Sequence, residues 1–287
     1  MTRKATARSG RALIGRSAMA LLVAGLLPGC GTPATADRGT TDRGTTDRAG
    51  GTDRATAGPT TPSAASPGPG MAAGSTPLVS GPAAISYPAD GGNRWQVAAG
   101  EPAAPAGTGR LLRYRVAVER DIRGLPVAEF AAEVSATLTA PQGWTTGGTL
   151  RLWRVGPGGP ADFTVHLATP GTRDDLCGDA ADGYTSCRNG DRVVIHVARW
   201  VKGVPRYGAS LTTYRRYVVN HEVGHRLGHG HERCPGRGRP APVMQQQTLG
   251  LHGCTANASP YRDGVRYAGP AGAYTDEIPP PEPGRRG

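Results

Sequence analysis

Four of the seven histidines in the chain fall within eleven residues, in the segment His221–His231 that reads HEVGHRLGHGH. His221 and His225 are four apart, so on a helix turning ~100° per residue they stand on one face, a turn apart. Two imidazoles placed in this way can reach one ion at the ~2.0–2.1 Å of a zinc–nitrogen bond. Glu222 lies partway round the same helix, close enough to touch a water on the metal without occupying the metal itself, which is the placement of a general base. A catalytic zinc takes three protein ligands and keeps a fourth position open. His231, six residues beyond His225, is the expected third ligand. A continued helix would carry it away, and Gly228 permits the positive-φ turn that ends the helix and brings the chain back. His229 is its rival. The chemistry expected of this set is hydrolysis: Zn2+ brings the pKa of its water toward ~7, Glu222 takes the proton as that water attacks a scissile carbonyl, and Glu222 returns it to the leaving amine. Histidines spaced by chance on an ordinary helix would lack both the glycine and the third histidine, and a purely structural zinc site needs no base.

The complete string His-Glu-x-x-His-x-x-Gly-x-x-His resembles the signature of the metzincin clan of zinc metallopeptidases. The resemblance implies that His231 rather than His229 is the third ligand, because one fewer residue after the glycine fits that geometry less well. It also implies a tight turn carrying a methionine beneath the zinc. Met244, thirteen residues after His231 and the one Met of the expected folded region, is similar to that Met-turn residue. A disulfide between Cys234 and Cys254 would clamp the loop that carries it. In some members a Tyr two residues after the Met assists. Here that position is Gln246, which leaves Gln245, Tyr261 and Tyr267 as candidates. A narrower resemblance covers about residues 109–262 and includes Trp200–Gly203, Asn220–His231, Cys234-Pro235 and Pro242–Thr248. It is to an exported family of high-GC Gram-positive bacteria described as a zincin-like domain of unknown function, and it supplies a clan but no substrate. By analogy with the clan, a substrate would lie along an edge strand near Gly183–Ser186. His166 and His196, on predicted strands, read as structural.

Around this centre the chain needs a folded frame. Its hydrophobic fraction is 37%, with 44 Gly and 26 Pro, so much of it cannot be packed core. Arg3, Lys4, Arg8, Arg11 and Arg16 precede the apolar run Ala18–Leu27, which is too short to span a bilayer and suits an export signal. The run ends Leu27-Pro28-Gly29-Cys30, which resembles a lipobox with Pro28 in place of the usual small residue; the implied lipid sits on Cys30. Charge gives no separate partner. The chain carries 33 basic against 22 acidic residues, but removing the five basic residues of the signal leaves 28 − 22 = +6 for a mature chain. Lys4 and Lys202 are the only lysines, so the arginine excess reads as coding bias and no nucleic-acid partner is expected.

With Cys30 assigned to lipid, Cys177, Cys187, Cys234 and Cys254 remain, and an exported protein meets an oxidising compartment. Three pairings are possible, and short loops favour Cys177–Cys187 and Cys234–Cys254. Residues 31–85 repeat Asp-Arg-Gly-Thr-Thr and then run into a Pro/Ser/Ala/Gly tract with no apolar period, as a tether would. Beyond it, strands are predicted at Leu111–Val118, Thr149–Val155, Asp162–Leu167 and Arg192–Ala198. Helices are predicted with Pro126 in the first turn, through Val127, Phe130, Val134 and Leu138 up to Pro141, and from about Leu211 to Leu227.

The expected organisation is a lipoprotein-type signal peptide (1–29), a disordered tether (30–85), a zincin-like domain (86–276) and a disordered Pro-rich tail (277–287). The domain is expected to be α+β, with a twisted mixed β-sheet, a backing helix, and a zinc-binding active-site helix followed by a Met-turn. The expected function is that of an exported, lipid-anchored zinc metallopeptidase acting on a protein or peptide substrate from the extracytoplasmic face, within reach of the cell wall. A zinc amidase for cell-wall peptides and a catalytically inactive zinc-containing binding lipoprotein are the alternatives.

Overall fold

A computed structural model describes residues 84–285. The signal peptide, Cys30 and nearly all of the expected tether lie outside the described residues. Among the described residues no helix is long and apolar enough to cross a membrane.

The longest strand sets the frame. β2 (Arg110–Glu119) alternates polar residues with Leu112, Tyr114, Val116 and Val118, which are all buried, as a strand with one face on a core must. β1 (Trp95–Val97) runs antiparallel to its far half and β3 (Leu150–Arg154) parallel to its near half. β4 (Phe163–Ala168) pairs with β2 and β6 (Arg192–His196), both parallel, and β5 (Cys187–Asn189) closes the edge antiparallel to β6. The order is β1-β2-β4-β6-β5 with β3 also on β2. The sheet is therefore mixed, and the fold is α+β as expected.

One face of the sheet carries the core. Phe130, Val134 and Leu138 of α1 (Val127–Leu138) and Tyr214, Tyr217 and Val218 of α4 (Leu211–Arg226) pack with Val116, Val165, Leu167, Val193 and Ile195 in one buried cluster. Pro126 stands at the N-cap of α1, one residue before the helix, and its carbonyl accepts from Glu129 and Phe130. Ser210 caps α4 and accepts from the Thr213 N–H at 3.1 Å. On the opposite face a smaller cluster gathers Ala168, Val194 and the Cys177–Cys187 disulfide.

The structure departs from the expected elements at several points. The strand expected over Arg192–Ala198 stops at His196, where the chain turns into α3 (Val197–Lys202) with the His196 ring accepting from the Ala198 N–H. Between β4 and β6, where neither strand nor helix is expected, the chain forms α2 (Pro170–Cys177) and β5. The tail expected to hang free is laid on the domain: Glu282 pairs with Arg199 and Lys202, its N–H donates to Gly183 O at 2.9 Å, and Arg285 bridges to Tyr87. Arg199 is almost fully buried, so the Glu282 carboxylate answers a charge that would otherwise be stranded away from water.

Candidate metal centre

Helix α4 delivers His221, Glu222 and His225, and its end is a Schellman turn. The Gly228 N–H donates to His225 O at 3.1 Å and the His229 N–H to Gly224 O at 3.0 Å, with Gly228 at φ +97. The reversed chain then brings His231 back. The Nε2 of His225 lies 3.2 Å from that of His221 and 3.1 Å from that of His231. These three residues form a set able to hold a metal ion.

The other ring nitrogens settle the tautomers of two of them. His221 Nδ1 is 2.8 Å from Val243 O and His225 Nδ1 is 2.9 Å from His229 O. Carbonyls only accept, so each Nδ1 carries the proton and each Nε2 keeps its lone pair. Two lone pairs facing each other at that separation repel unless a cation lies between them. Burial also works against protonation. It holds His221 well below the usual imidazole range, with His225 adding to the effect, lowers His225, and brings His231 down to about 4.

His229 is not part of the set. Its ring stacks on Trp144 at 4.6 Å between centroids, and what it gives the centre is its main-chain carbonyl, which orients His225.

Glu222 is 5% exposed, and no hydrogen bond ties its carboxylate to the described residues. Burial raises it to about 8, with the Arg173 guanidinium opposing. It opens into a cleft of about 750 Å³ lined by the three histidines, Tyr217, Arg173, Asp182, Arg188, Gln246 and Ile278. Arg173 is itself fully buried. It holds the cleft wall by bonds to Asp174 (2.6 Å), Ala180 O (2.7 Å) and Thr185 (3.0 Å), and an ion pair to Asp182 (3.1 Å).

Met244 lies beneath the helix, fully buried. Its loop is fastened by Tyr217 Oη to Gln245 O (3.0 Å), by Gln247 Nε2 to Pro242 O and Asn257 O, and by the Cys234–Cys254 disulfide. Both disulfides pair as loop length favoured. Of the assisting candidates, Tyr261 and Tyr267 do not line the cleft and Gln245 turns its amide to Gly250 O, whereas Gln246 does line it. Gln246 makes no side-chain hydrogen bond among the described residues, and its Oε1 is buried. His196 is structural, with Nε2 on Gly183 O at 3.1 Å. His166, packed edge-on to Trp95, is also remote from the centre, but its Nδ1 is buried without a partner. The segment Gly183–Ser186 flanks β5 rather than forming the edge strand, though Thr185 and Ser186 do line the cleft.

Gly224 was not singled out by the spacing, yet the centre depends on it. A Cβ there would stand 2.4 Å from Met244 Sδ and 2.7 Å from Trp144 Cζ2, both side chains buried. Gly224→Ala should therefore destabilise by about 1–3 kcal/mol through overpacking, despite the ~0.5–1 kcal/mol an alanine gains in a helix interior. Thermal melts check this, and an unchanged or raised Tm would mean that the methionine is not pressed against the helix.

The chain matches the family described as "Protein of unknown function (DUF3152)" over residues 81–261 and belongs to it. No curated protein and no solved structure matches the chain.

Proposed function

We propose that this member of the family is a metzincin-like zinc metallopeptidase that works outside the cytoplasm. The observation that carries the reading is the convergence of three Nε2 atoms, two of them with lone pairs fixed by carbonyl partners, beside a buried carboxylate without a hydrogen-bond partner among the described residues. Ligands at ~2.05 Å in tetrahedral directions stand about 3.3 Å apart, and the 3.1 and 3.2 Å separations here fit that set. Three histidines would hold zinc with one ligand position left for water or substrate, as catalysis requires and a closed structural site does not. The mixed sheet, α1 behind it, the turn at Gly228 and Met244 under α4 support the zincin-like topology. Two disulfides support an oxidising compartment; an N-terminal export signal and a lipid on Cys30 belong to the same proposal.

Zinc, when bound, supplies Lewis acidity that acidifies water and polarises a peptide carbonyl. The chain's own groups do the rest. Glu222 accepts the proton of the attacking water and passes it to the departing amine. Glu222 is itself largely buried at the cleft wall, so its charge acts at a dielectric below that of water. The Gln246 amide, unspent on the protein, is available to the oxygen of the carbonyl under attack.

The test is digestion of a peptide library and of peptidoglycan by the zinc-loaded protein, with a chelator-treated sample alongside. Peptide cleavage that is lost on chelation and restored by one equivalent of zinc is expected. Release of cell-wall peptides with no peptide-bond cleavage would move the reading to a zinc amidase. One equivalent of bound zinc with no turnover on either substrate would make the protein a zinc-containing binding lipoprotein and end the enzyme reading.

A further inference from the structure

Among the described residues the cleft is lined by one exposed arginine, Arg188, and the strand that carries it turns it toward the metal-binding helix. β5 is the three-residue edge of the sheet, and Arg188 is its middle residue. Cys187 stands opposite Val194 and Asn189 opposite Arg192, while Arg188 stands opposite Val193. Val193 belongs to the core between the sheet and α4, whereas Val194 and Cys187 belong to the cluster on the other face. Alternation along the strand therefore turns Arg188 toward the side of the metal-binding helix, and its side chain lines the cleft with His221, His225 and His231.

Three further facts bear on its use. Arg188 is exposed, and no hydrogen bond or ion pair is made by its guanidinium among the described residues. The other cleft arginine, Arg173, is spent on Asp174 and Asp182. The backbone that presents Arg188 is fixed on both sides, by the Cys177–Cys187 disulfide and by Asn189 Nδ2 on Leu176 O at 3.1 Å. A guanidinium without a partner among the described residues, on a braced strand and beside the candidate metal centre, is suited to a planar two-oxygen anion.

We infer that Arg188 is a carboxylate subsite, and that the preferred substrates are peptides carrying a carboxylate close to the scissile bond. This rests on the hydrolytic reading of the same cleft and narrows it to a substrate class. The carboxylate is an Asp or Glu side chain or a free chain terminus close to the cleaved bond, since Arg188 lines the same cleft as the three histidines. An inward-facing charge on a short edge strand can also serve only to discourage edge pairing, and the experiment separates the two roles.

Four sets of labelled peptides matched in length are offered to the zinc-loaded protein: neutral with blocked ends, acidic side chain with blocked ends, neutral with a free terminal carboxylate, and basic. Wild type should favour one carboxylate set over the neutral set by about tenfold or more in kcat/KM, the discrimination expected of a hydrogen-bonded charge. Which of the two sets it favours identifies the source of the carboxylate. Arg188→Gln should bring the carboxylate-to-neutral ratio to about one, Arg188→Lys should keep part of it, and Arg188→Glu should shift preference to the basic set. A wild type with no carboxylate preference, or an Arg188→Gln protein that loses the same factor on every set, overturns the subsite. Equilibrium binding of the same peptides is measured in parallel by fluorescence anisotropy. If nothing is cleaved, the hydrolytic reading fails, while carboxylate-dependent binding lost in Arg188→Gln upholds the subsite and equal binding of all sets by both proteins removes it.

Discussion

Glu222→Gln is expected to leave the metal centre loaded and to remove turnover. The amide has nearly the shape of the carboxylate and fills the same wall of the cleft, but it cannot take a proton from water or hand one to an amine. A positioned general base contributes roughly 10²–10⁴ in rate, so kcat on any cleaved peptide should fall by about that factor with zinc still bound at one equivalent. The three imidazoles touch the ion without help from Glu222, which separates this result from a loss of metal. Activity within tenfold of wild type would remove Glu222 from the chemistry. Stability gives a second readout. Burial raises the Glu222 carboxyl to about 8 from an ordinary 4.5, so between those values the folded metal-free protein binds a proton that the unfolded chain does not. The contribution of Glu222 to stability is therefore fully present below pH 4.5 and is lost as pH rises toward 8. In the presence of a chelator, Glu222→Gln should melt at the wild-type temperature at pH 4.5 and above it at pH 8. A variant that melts lower at pH 8 would show that the carboxylate has a partner in the apo protein.

What the sequence made legible was whatever depends on short-range periodicity. His221 and His225 sit one helical turn apart because the backbone imposes it, and Gly228 announced its turn because few other residues adopt φ +97 without strain. Strands β2, β4 and β6 and helices α1 and α4 carry apolar patterns of period two or near four, and they appeared within a few residues of where they were expected. The elements that were missed lack such a pattern. Helix α2 reads PGTRDDLC and is held by a buried arginine and a disulfide rather than by an apolar stripe. The three residues of β5 are too few to show alternation, though they set the direction of Arg188. Contacts between distant segments left no local trace. Trp144 donates to Asn220 O at 2.9 Å across 76 residues, and with Met244 it leaves room at position 224 for a hydrogen alone. The tail was taken as free because its prolines and glutamates have no core face. Glu282 has instead a specific function, as the counter-charge to a buried arginine.

The two histidines that competed for the third ligand position should behave oppositely when replaced. His231→Ala takes one of three nitrogens from the ion. If whole zinc sites are worth ~10–16 kcal/mol over four ligands, each ligand carries roughly 3–4 kcal/mol, and affinity should fall by about 10²–10³-fold or more, taking turnover with it. His229→Ala keeps the carbonyl that orients His225, since that group is main chain, and loses only the stack on Trp144. That stack is worth about 0.5–1.5 kcal/mol, so His229→Ala should melt slightly earlier while binding zinc within about threefold of wild type. Competition for zinc against a chromophoric chelator measures both, and a greater loss for His229→Ala would reassign the ligand. Acid gives an independent check. Burial takes His231 from an ordinary 6.5 to about 4, so between these values the unfolded chain binds the proton that the folded protein refuses. The contribution of His231 to the stability of the metal-free protein is therefore lost as pH falls from 6.5 to 4, against the opposite slope of Glu222, and His231→Ala should remove that component from the pH profile. Zinc adds to the difference, because protons compete with it for the same Nε2 atoms. The pH at which bound zinc is released should accordingly lie lowest for wild type, nearly as low for His229→Ala, and clearly higher for His231→Ala.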